Sequence, residues 1–293
     1  MSYTMCSRIT FPKTEKRGER VLHVISSCTI TSAWKQLTDT AEVVIPRKIR
    51  TFEGKQLQEV FSPGDPIRIE LGYNGEYSEE FTGYVLSVSR GIPVTIRCED
   101  EMYKLKRKTI SYSKKSVTLG QMLKDLIPEY TIETAYGDTE LGAVRYSNVL
   151  VSAVLDDIKK KTGLYCFFRD KVLHVGNAYS DKDLEKVAIH LERNAVSQDL
   201  QQSGSDYEVT AIALLKGGKK MEAQAGTKGA ETFRITLDSK DEKITAEVLK
   251  KTAQRIYDNL KKQKYKGGIE LFGIPVVKHG MSVELNSEVT PEM

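Results

Sequence analysis

The sequence predicts a β-rich α+β protein: two β-barrel-like domains with a small α+β domain between them. Three observations carry this reading. At both ends of the chain apolar and polar residues alternate over short runs, the period of a strand with one buried face. Turn residues punctuate those runs at the short spacing of antiparallel barrels and sandwiches. In the middle of the chain the apolar period changes to that of helices. The boundaries fall at 1–107, 108–180 and 181–293. A chain of 293 residues is too long for one small core, so several domains are expected.

In the first domain Val21–Ile25 and Ala41–Ile45 are short β-branched runs, and Pro46 ends the second because it has no N–H for a ladder. The densest pattern runs from Phe61 to Asp100. Pro63-Gly64-Asp65-Pro66 is a turn in which Pro fixes φ, Gly supplies positive φ and Asp can close an Asx-turn. Ile67, Ile69 and Leu71 then alternate with Arg68 and Glu70. Asn74-Gly75 is the strongest hairpin signal in the chain. Phe81, Tyr84, Leu86 and Val88 read as the return strand, with Gly83 marking a bulge or a close backbone approach. Val94, Ile96 and Cys98 alternate once more.

In the middle domain Thr118 and Gln121 form a capping-box pattern ahead of Leu119, Met122, Leu123, Leu126 and Ile127, and Pro128 stops the helix. A second helix runs from about Val151 to Lys161, its basic end suited to the helix dipole and Gly163 suited to its C′ position. A hairpin follows, Leu164–Phe168 and Val172–Val175, turning at Arg169-Asp170-Lys171.

The last domain offers strands at Tyr207–Leu214 and Phe233–Leu237, with loops at Gly217-Gly218 and Gly226 to Gly229. Ala246, Leu249, Ala253, Ile256, Tyr257 and Leu260 place one apolar stripe on a helix from Thr245 to Lys261. After Gly267-Gly268 come strands at Ile269–Val277 and Gly280–Leu285. Setting Gly64 on Gly280 puts Ile67 on Val283 and Ile69 on Leu285, a faint internal echo that any turn glycine before a strand would also give.

Composition excludes several classes. Hydrophobic residues at 40% and charged residues at 29% are those of an ordinary soluble globular protein. No apolar run approaches the ~20 residues of a membrane-spanning helix, so no membrane insertion is expected, and the first residues show no secretory pattern. Cys6, Cys28, Cys98 and Cys166 are far apart without a CxxC, which argues against disulfides and zinc and for a reducing compartment during folding. A net charge of +4 is too small to imply a polyanionic partner.

No catalytic, cofactor or metal-ligand set emerges. His23, His174, His190 and His279 lie in unrelated segments, and His23 and His174 read as core histidines in apolar strands. Glu99-Asp100-Glu101 could serve glycoside hydrolysis or bind a cation, but neighbours on a strand face opposite ways, so a solvated cap is expected. Asp156-Asp157 reads as an exposed helix face. The Gly217–Lys220 and Gly226–Gly229 loops lack GxxxxGK[ST] and do not open helices, so they read as hairpin loops. Two basic stretches, Lys104–Lys115 and Lys250–Lys266, read as solvated faces, although the second could touch nucleic acid.

The chain resembles the phage tail baseplate hub proteins of the late-control D family over nearly its whole length. The first barrel carries the resemblance through Asp39-Thr40-Ala41, Gly64-Asp65-Pro66-Ile67, Phe81-Thr82-Gly83-Tyr84-Val85 and Cys98 to Leu105. The middle carries it through the helix from Thr118 and through Ser152–Gly163 with its hairpin. The last part does so through Leu191-Glu192-Arg193-Asn194, Tyr207–Leu214 and Gly268–Leu285, with Phe272-Gly273-Ile274-Pro275. The resemblance implies a non-enzymatic structural protein with no cofactor. Two similar barrels per subunit would give a homotrimer six barrels in a ring, joining a six-fold tail tube protein to a three-fold central spike protein among other baseplate components. DNA would pass only in transit through the central channel. Assembly would occur in the host bacterial cytoplasm, and the mature location would be the virion tail. The subunit-interface candidates are Gly64, Asp65, Phe81, Gly83, Tyr84, Val85, Phe272, Gly273, Pro275 and Gly280.

Family members usually continue beyond the equivalent of Leu285. The second barrel is then incomplete, closed by a neighbouring subunit, or built with earlier strands such as Phe233–Leu237 in a different order. The alternative is a cell-wall-degrading or carbohydrate-binding tail-associated protein using Glu99, Asp100 or Asp206 as acids. A second alternative is nucleic-acid binding through Lys250–Lys266.

Overall fold

A computed structural model describes residues 3–15, 17–46, 60–169, 171–177, 186–202, 206–237, 244–261, 265–279 and 281–289. The protein is β-rich α+β, as the sequence predicts. It divides into two compact units: residues 1–110, 148–154 and 167–174 in one, and 111–147, 155–166 and 175–293 in the other.

The first unit is built on seven strands: β1 (Met5–Phe11), β2 (Arg20–Leu22), β3 (Ser27–Thr31), β4 (Thr40–Ile45), β5 (Pro66–Tyr73), β6 (Glu76–Val88) and β7 (Val94–Glu99). They form one sheet in the order β2-β1-β5-β6-β7-β4-β3, antiparallel at every junction. Ile9, Val43, Ile69, Val85 and Ile96 come from five strands and bury in one cluster, which Leu22 of β2 and Cys28 and Ile30 of β3 also join. A flat sheet could not bring both outer strands to one core, so the sheet curls into a barrel-like form. Among the described residues no ladder joins β2 to β3.

The β5–β6 hairpin turns at Asn74 and Gly75, with φ of 54° and 86°, the left-handed pair that a two-residue type I′ turn needs. Two register shifts, between Ile69 and Glu70 and between Val85 and Ser87, leave Glu80 and Leu86 as extra residues on β6. Such bulges bend a strand and increase its twist. The inward set on β6 is Phe81, Gly83 and Val85, with Val88 packed on the same core beyond the Leu86 bulge, rather than Tyr84 and Leu86. Gly83 therefore keeps the alternation, and the close approach expected of it is real: a Cβ there would sit 2.1 Å from the Glu99 carbonyl oxygen. The strand expected at Val21–Ile25 is shorter, and His23 lies beyond it, exposed rather than buried. A short helix, α1 (Met102–Leu105), closes the unit.

The middle of the chain holds β8 (Thr109–Thr118), α2 (Leu119–Leu126), β9 (Thr131–Glu133), β10 (Glu140–Leu150), α3 (Val151–Thr162), β11 (Tyr165–Arg169) and β12 (Val172–Gly176). Thr118 caps α2 by accepting the Gln121 N–H at 3.3 Å. Gln121 donates to Asp125 instead of completing the capping box. Leu119, Met122, Leu123, Leu126 and Ile127 are buried, as are Val151, Val154, Leu155 and Ile158. Asp156 is exposed, but Asp157 is half-buried, accepting the Tyr146 hydroxyl at 2.5 Å and pairing with Lys161. His174 is half-buried in β12 and stacks on Phe167. Asp170 of the expected hairpin turn lies outside the described residues.

The rest of the second unit holds β13 (Lys186–His190), α4 (Leu191–Asn194), β14 (Ala195–Gln198), β15 (Gln201–Gln202), β16 (Tyr207–Leu214), β17 (Lys220–Gly226), β18 (Glu231–Leu237), α5 (Ala246–Lys261), β19 (Tyr265–Lys266), β20 (Ile269–Leu271) and β21 (Ser282–Asn286). Central β16 pairs antiparallel with β17 and parallel with β18. It is buried almost continuously, as expected of a strand covered on both faces. Leu249, Ala253 and Ile256 of α5 pack on Val209, Ala211 and Ala213. Asn177, Tyr136, Thr162 and Thr236 tie the middle segment to β18: Thr236 donates to the Thr162 carbonyl at 2.6 Å and receives Asn177 and Tyr136 on its own. The remaining strands form three separate pairs, β13·β21, β14·β20 and β15·β19. The echo of Ile67 in Val283 does not extend to structure: β5 lies in an antiparallel sheet, whereas β21 pairs parallel with β13 and Val283 is exposed.

Candidate assembly surface

Of the interface candidates of the first unit, Phe81, Gly83 and Val85 are buried, and Gly64, Asp65 and Tyr84 are half-buried. Gly64 adopts φ +92°, which lets the chain turn so that its N–H reaches the Val85 carbonyl while Val85 donates to Asp65, both at 2.8 Å. The Asp65 carboxylate accepts the Ser62 N–H at 3.1 Å and faces Arg17 at 3.4 Å. Arg17 is itself buried beside the rings of Phe11 and Phe61. Phe81, Gly83 and Val85 are core residues, and β6 lies between β5 and β7, so it presents no free edge. Tyr84 is the half-exposed member. It stacks on Tyr103 with centroids 5.6 Å apart, donates to Glu101 at 3.1 Å, and lies under the Lys104 ammonium. Arg107 covers Tyr103 at 3.5 Å.

Glu99, Asp100 and Glu101 do not form a solvated cap. All three are buried, because their partners come to them. Glu99 pairs with Lys106 at 2.8 Å, Glu101 binds Tyr84 and Lys104, and Asp100 accepts the backbone N–H groups of Asp39 and Met102 at 3.0 and 2.9 Å. The three carboxylates have different partners, and the second oxygen of Glu99 is buried with no hydrogen-bond partner. Among the described residues no group of His, Cys, Asp and Glu is placed to hold a metal ion. Asp206, in the second unit, receives the hydroxyls of Thr227 and Tyr257 and faces Lys261 at 3.3 Å. Those hydrogen bonds hold its carboxyl well below the ordinary range, which suits a fixed anion and not a general acid.

Two of the lysines on α5 are paired with carboxylates. Lys251 pairs with Glu247, Gln254 bonds Asp258, and Lys261 faces Asp206. Lys262 and Lys264 of the basic stretch lie outside the described residues.

The second unit presents the apolar surface. The strand expected over Ile269–Val277 pairs only through Leu271. Gly273 then takes φ +87° and Pro275 lacks an N–H, so the chain bends at both residues and leaves β14 as an irregular strap. Phe272, Ile274, Val276 and Val277 on that strap are each between 42% and 56% exposed. Asn194 at the end of α4 holds its start: the Asn194 carbonyl accepts the Phe272 N–H at 3.3 Å, its amide reaches the Ile274 carbonyl at 3.5 Å, and its side-chain oxygen accepts the His190 N–H at 2.9 Å. Glu192 accepts the Ser287 hydroxyl at 2.6 Å, and Arg193 pairs with Glu288. Val196 and Val283 extend the exposed apolar set. The adjacent β13·β21 pair is a two-stranded parallel ladder of which only Ile189 is buried. Of the predicted candidates, Phe272, Gly273 and Pro275 belong to this surface, whereas Gly280 lies outside the described residues. Ile274, Val276 and Val277 lie within the stretch Phe272 to Gly280 to which the sequence reading gave an interface role, whereas it gave none to the anchor Asn194. The β-branched run signalled the first three, but nothing in the sequence marks the Asn194 bonds.

No protein-family model matches the chain, and no curated protein does. Solved structures do. The tail protein from Neisseria meningitidis MC58 is 16% identical with a TM-score of 0.58, over 98% of this chain and 88% of that one. The 43 kDa tail protein of prophage MuSo2 from Shewanella oneidensis is 15% identical with a TM-score of 0.57, over 97% and 89%. At these identities the similarity is one of fold.

Proposed function

We propose that this chain is a structural, non-enzymatic hub protein of a phage tail baseplate or a related contractile injection machine. One observation carries the proposal: nearly the whole chain shares its fold with two tail proteins and covers most of each. In this reading the subunit forms a homotrimeric ring that joins a six-fold tail tube to a three-fold spike, among other baseplate components, with DNA only in transit through the channel. It assembles in the bacterial cytoplasm and resides in the virion tail.

The physical features suit that task. Two-stranded ladders are marginal by themselves, and parallel strands are ordinarily covered on both faces. The β13·β21 ladder and the apolar strap beside it therefore gain most from a neighbour's cover. Main-chain pairing at strand edges supplies such cover without catalytic residues. A ring closes through unlike surfaces meeting head to tail. We assign the interface to Tyr84 with its cationic neighbours, to the strap at Phe272, Gly273 and Pro275, and to Gly280. Gly64, Asp65, Phe81, Gly83 and Val85 act on it by shaping the strand behind it. The three-part division at 107 and 180 describes the intended roles: barrel, insert, second barrel.

Electron microscopy of the purified chain tests this. Rings with three-fold symmetry around an open channel are the expected result. Compact single subunits at every concentration, with and without tube and spike proteins, would overturn it.

A further inference from the structure

The β8·β10 ribbon of the second unit is an unpartnered sheet with a basic surface. Among the described residues β8 and β10 pair only with each other, and a two-stranded ladder is marginal alone. Over 111–118 and 140–147 only Val117, Gly142 and Val144 are buried, while Lys114 and Lys115 of β8 and Arg145 of β10 are exposed. Lysines on an edge strand discourage stray pairing. An acidic strand is the partner that they do not repel.

The first unit carries such a strand on a rigid arm. The β5–β6 hairpin runs on past Ile69 and Phe81, its last buried apolar pair, to Tyr73 and Glu76 at the turn. β1 pairs with the other side of β5 as far as Met5 and Tyr73. Asn74 fastens the tip, accepting the Thr4 N–H at 3.0 Å and donating its own N–H to the Thr4 carbonyl at 2.9 Å. The arm is thus three strands wide and ordered without a partner. Glu76, Glu79 and Glu80 are exposed on it. Glu79 stands opposite Glu70 in the ladder, a like-charge pairing that opposes the fold, and both Arg8 and Arg68 are directed at Glu70. Among the described residues none of these three glutamates and three ribbon cations forms an ion pair within its own subunit.

We propose that the β5–β6 arm of one copy docks on the β8·β10 ribbon of the next, with Glu76, Glu79 and Glu80 meeting Lys114, Lys115 and Arg145. The contact rests on the reading of the chain as an assembly of copies and supplies that reading with a second pair of surfaces. It joins unlike surfaces, as a head-to-tail ring requires. Exposed ion pairs add little affinity each, but complementary patches steer encounter and reject wrong partners. The arm and ribbon therefore set which surfaces meet, while the apolar strap supplies hydrophobic area.

Charge reversal tests the contact, with association read by sedimentation velocity. Glu76→Lys with Glu79→Lys and Glu80→Lys, and separately Lys114→Glu with Lys115→Glu and Arg145→Glu, are each expected to weaken association at least roughly tenfold. The combined variant carrying all six changes is expected to regain it. Unchanged association in either triple variant, or no recovery in the combined one, overturns the contact and leaves the assembly reading standing. A parent chain that stays monomeric at every concentration, with and without tube and spike proteins, overturns both. Loss of binding to a tube or spike protein with self-association intact assigns the ribbon to that partner and overturns the proposal. Should a variant not fold, salt decides on the parent chain. Association that weakens at least roughly tenfold between ~0.05 and ~0.5 M salt supports the contact, and salt-independent association overturns it.

Discussion

At the residue scale, partners decide what each side chain does. Glu70 alternates out of the core pattern in sequence yet is nearly buried, because Arg8 on the neighbouring strand grips it with two hydrogen bonds of 2.8 and 2.5 Å. That grip holds the Glu70 carboxyl below its ordinary range, with Arg68 adding to it. A lowered folded value stabilises the protein above the unfolded value of about 4.3 and is lost as pH falls through the folded one. Glu70→Gln is therefore expected to lower the melting temperature at pH 7, with the difference shrinking toward pH 3. Calorimetry at both pH values checks this. Phe81→Ala leaves a hole beneath the β5–β6 bend and is expected to cost about 3–5 kcal/mol in urea unfolding. A cost below ~1 kcal/mol would mean that the ring is not packed as described. The sequence signalled Phe81 as apolar but did not show which face it occupies, since the bulges at Glu80 and Leu86 shift the alternation. It also did not show that Glu99 to Glu101 are buried. Their partners include Lys106, seven residues on from Glu99, but also Tyr84 and the backbone of Asp39, which only the folded sheet brings near.

At the element scale, local chemistry was legible wherever it acts within a few residues. Asn74-Gly75 makes its turn, Thr118 caps its helix, and Gly163 takes the positive φ that ends α3. The segment after Leu271 was not legible. Its β-branched residues read as a strand, but a strand needs a partner, and β14 supplies one only as far as Leu271. What remains is an anchored apolar strap. Phe272→Ser with Ile274→Ser removes apolar surface without touching either core. Such surface changes usually move stability by no more than about 0.5 kcal/mol. The double variant is therefore expected to melt like the parent while losing subunit association, read by sedimentation velocity. Unchanged association would remove the strap from the interface.

At the scale of the whole molecule, the sequence revealed the fold class and the order of elements more fully than the arrangement of the second unit. The first unit declares itself through repeated alternation and turns, because its first seven strands pair within one sheet. In the second unit β18 runs parallel to β16, and β21 runs parallel to β13 across nearly a hundred residues. Pairings at that separation leave no local mark. The central claim is that the chain works as a closed assembly of copies. Absolute mass in solution by light scattering, across a range of concentrations, tests it most directly. A discrete mass of three times 33.0 kDa, holding on dilution, is the predicted result. A mass of 33.0 kDa at every concentration, unchanged when tube and spike proteins are added, would contradict it.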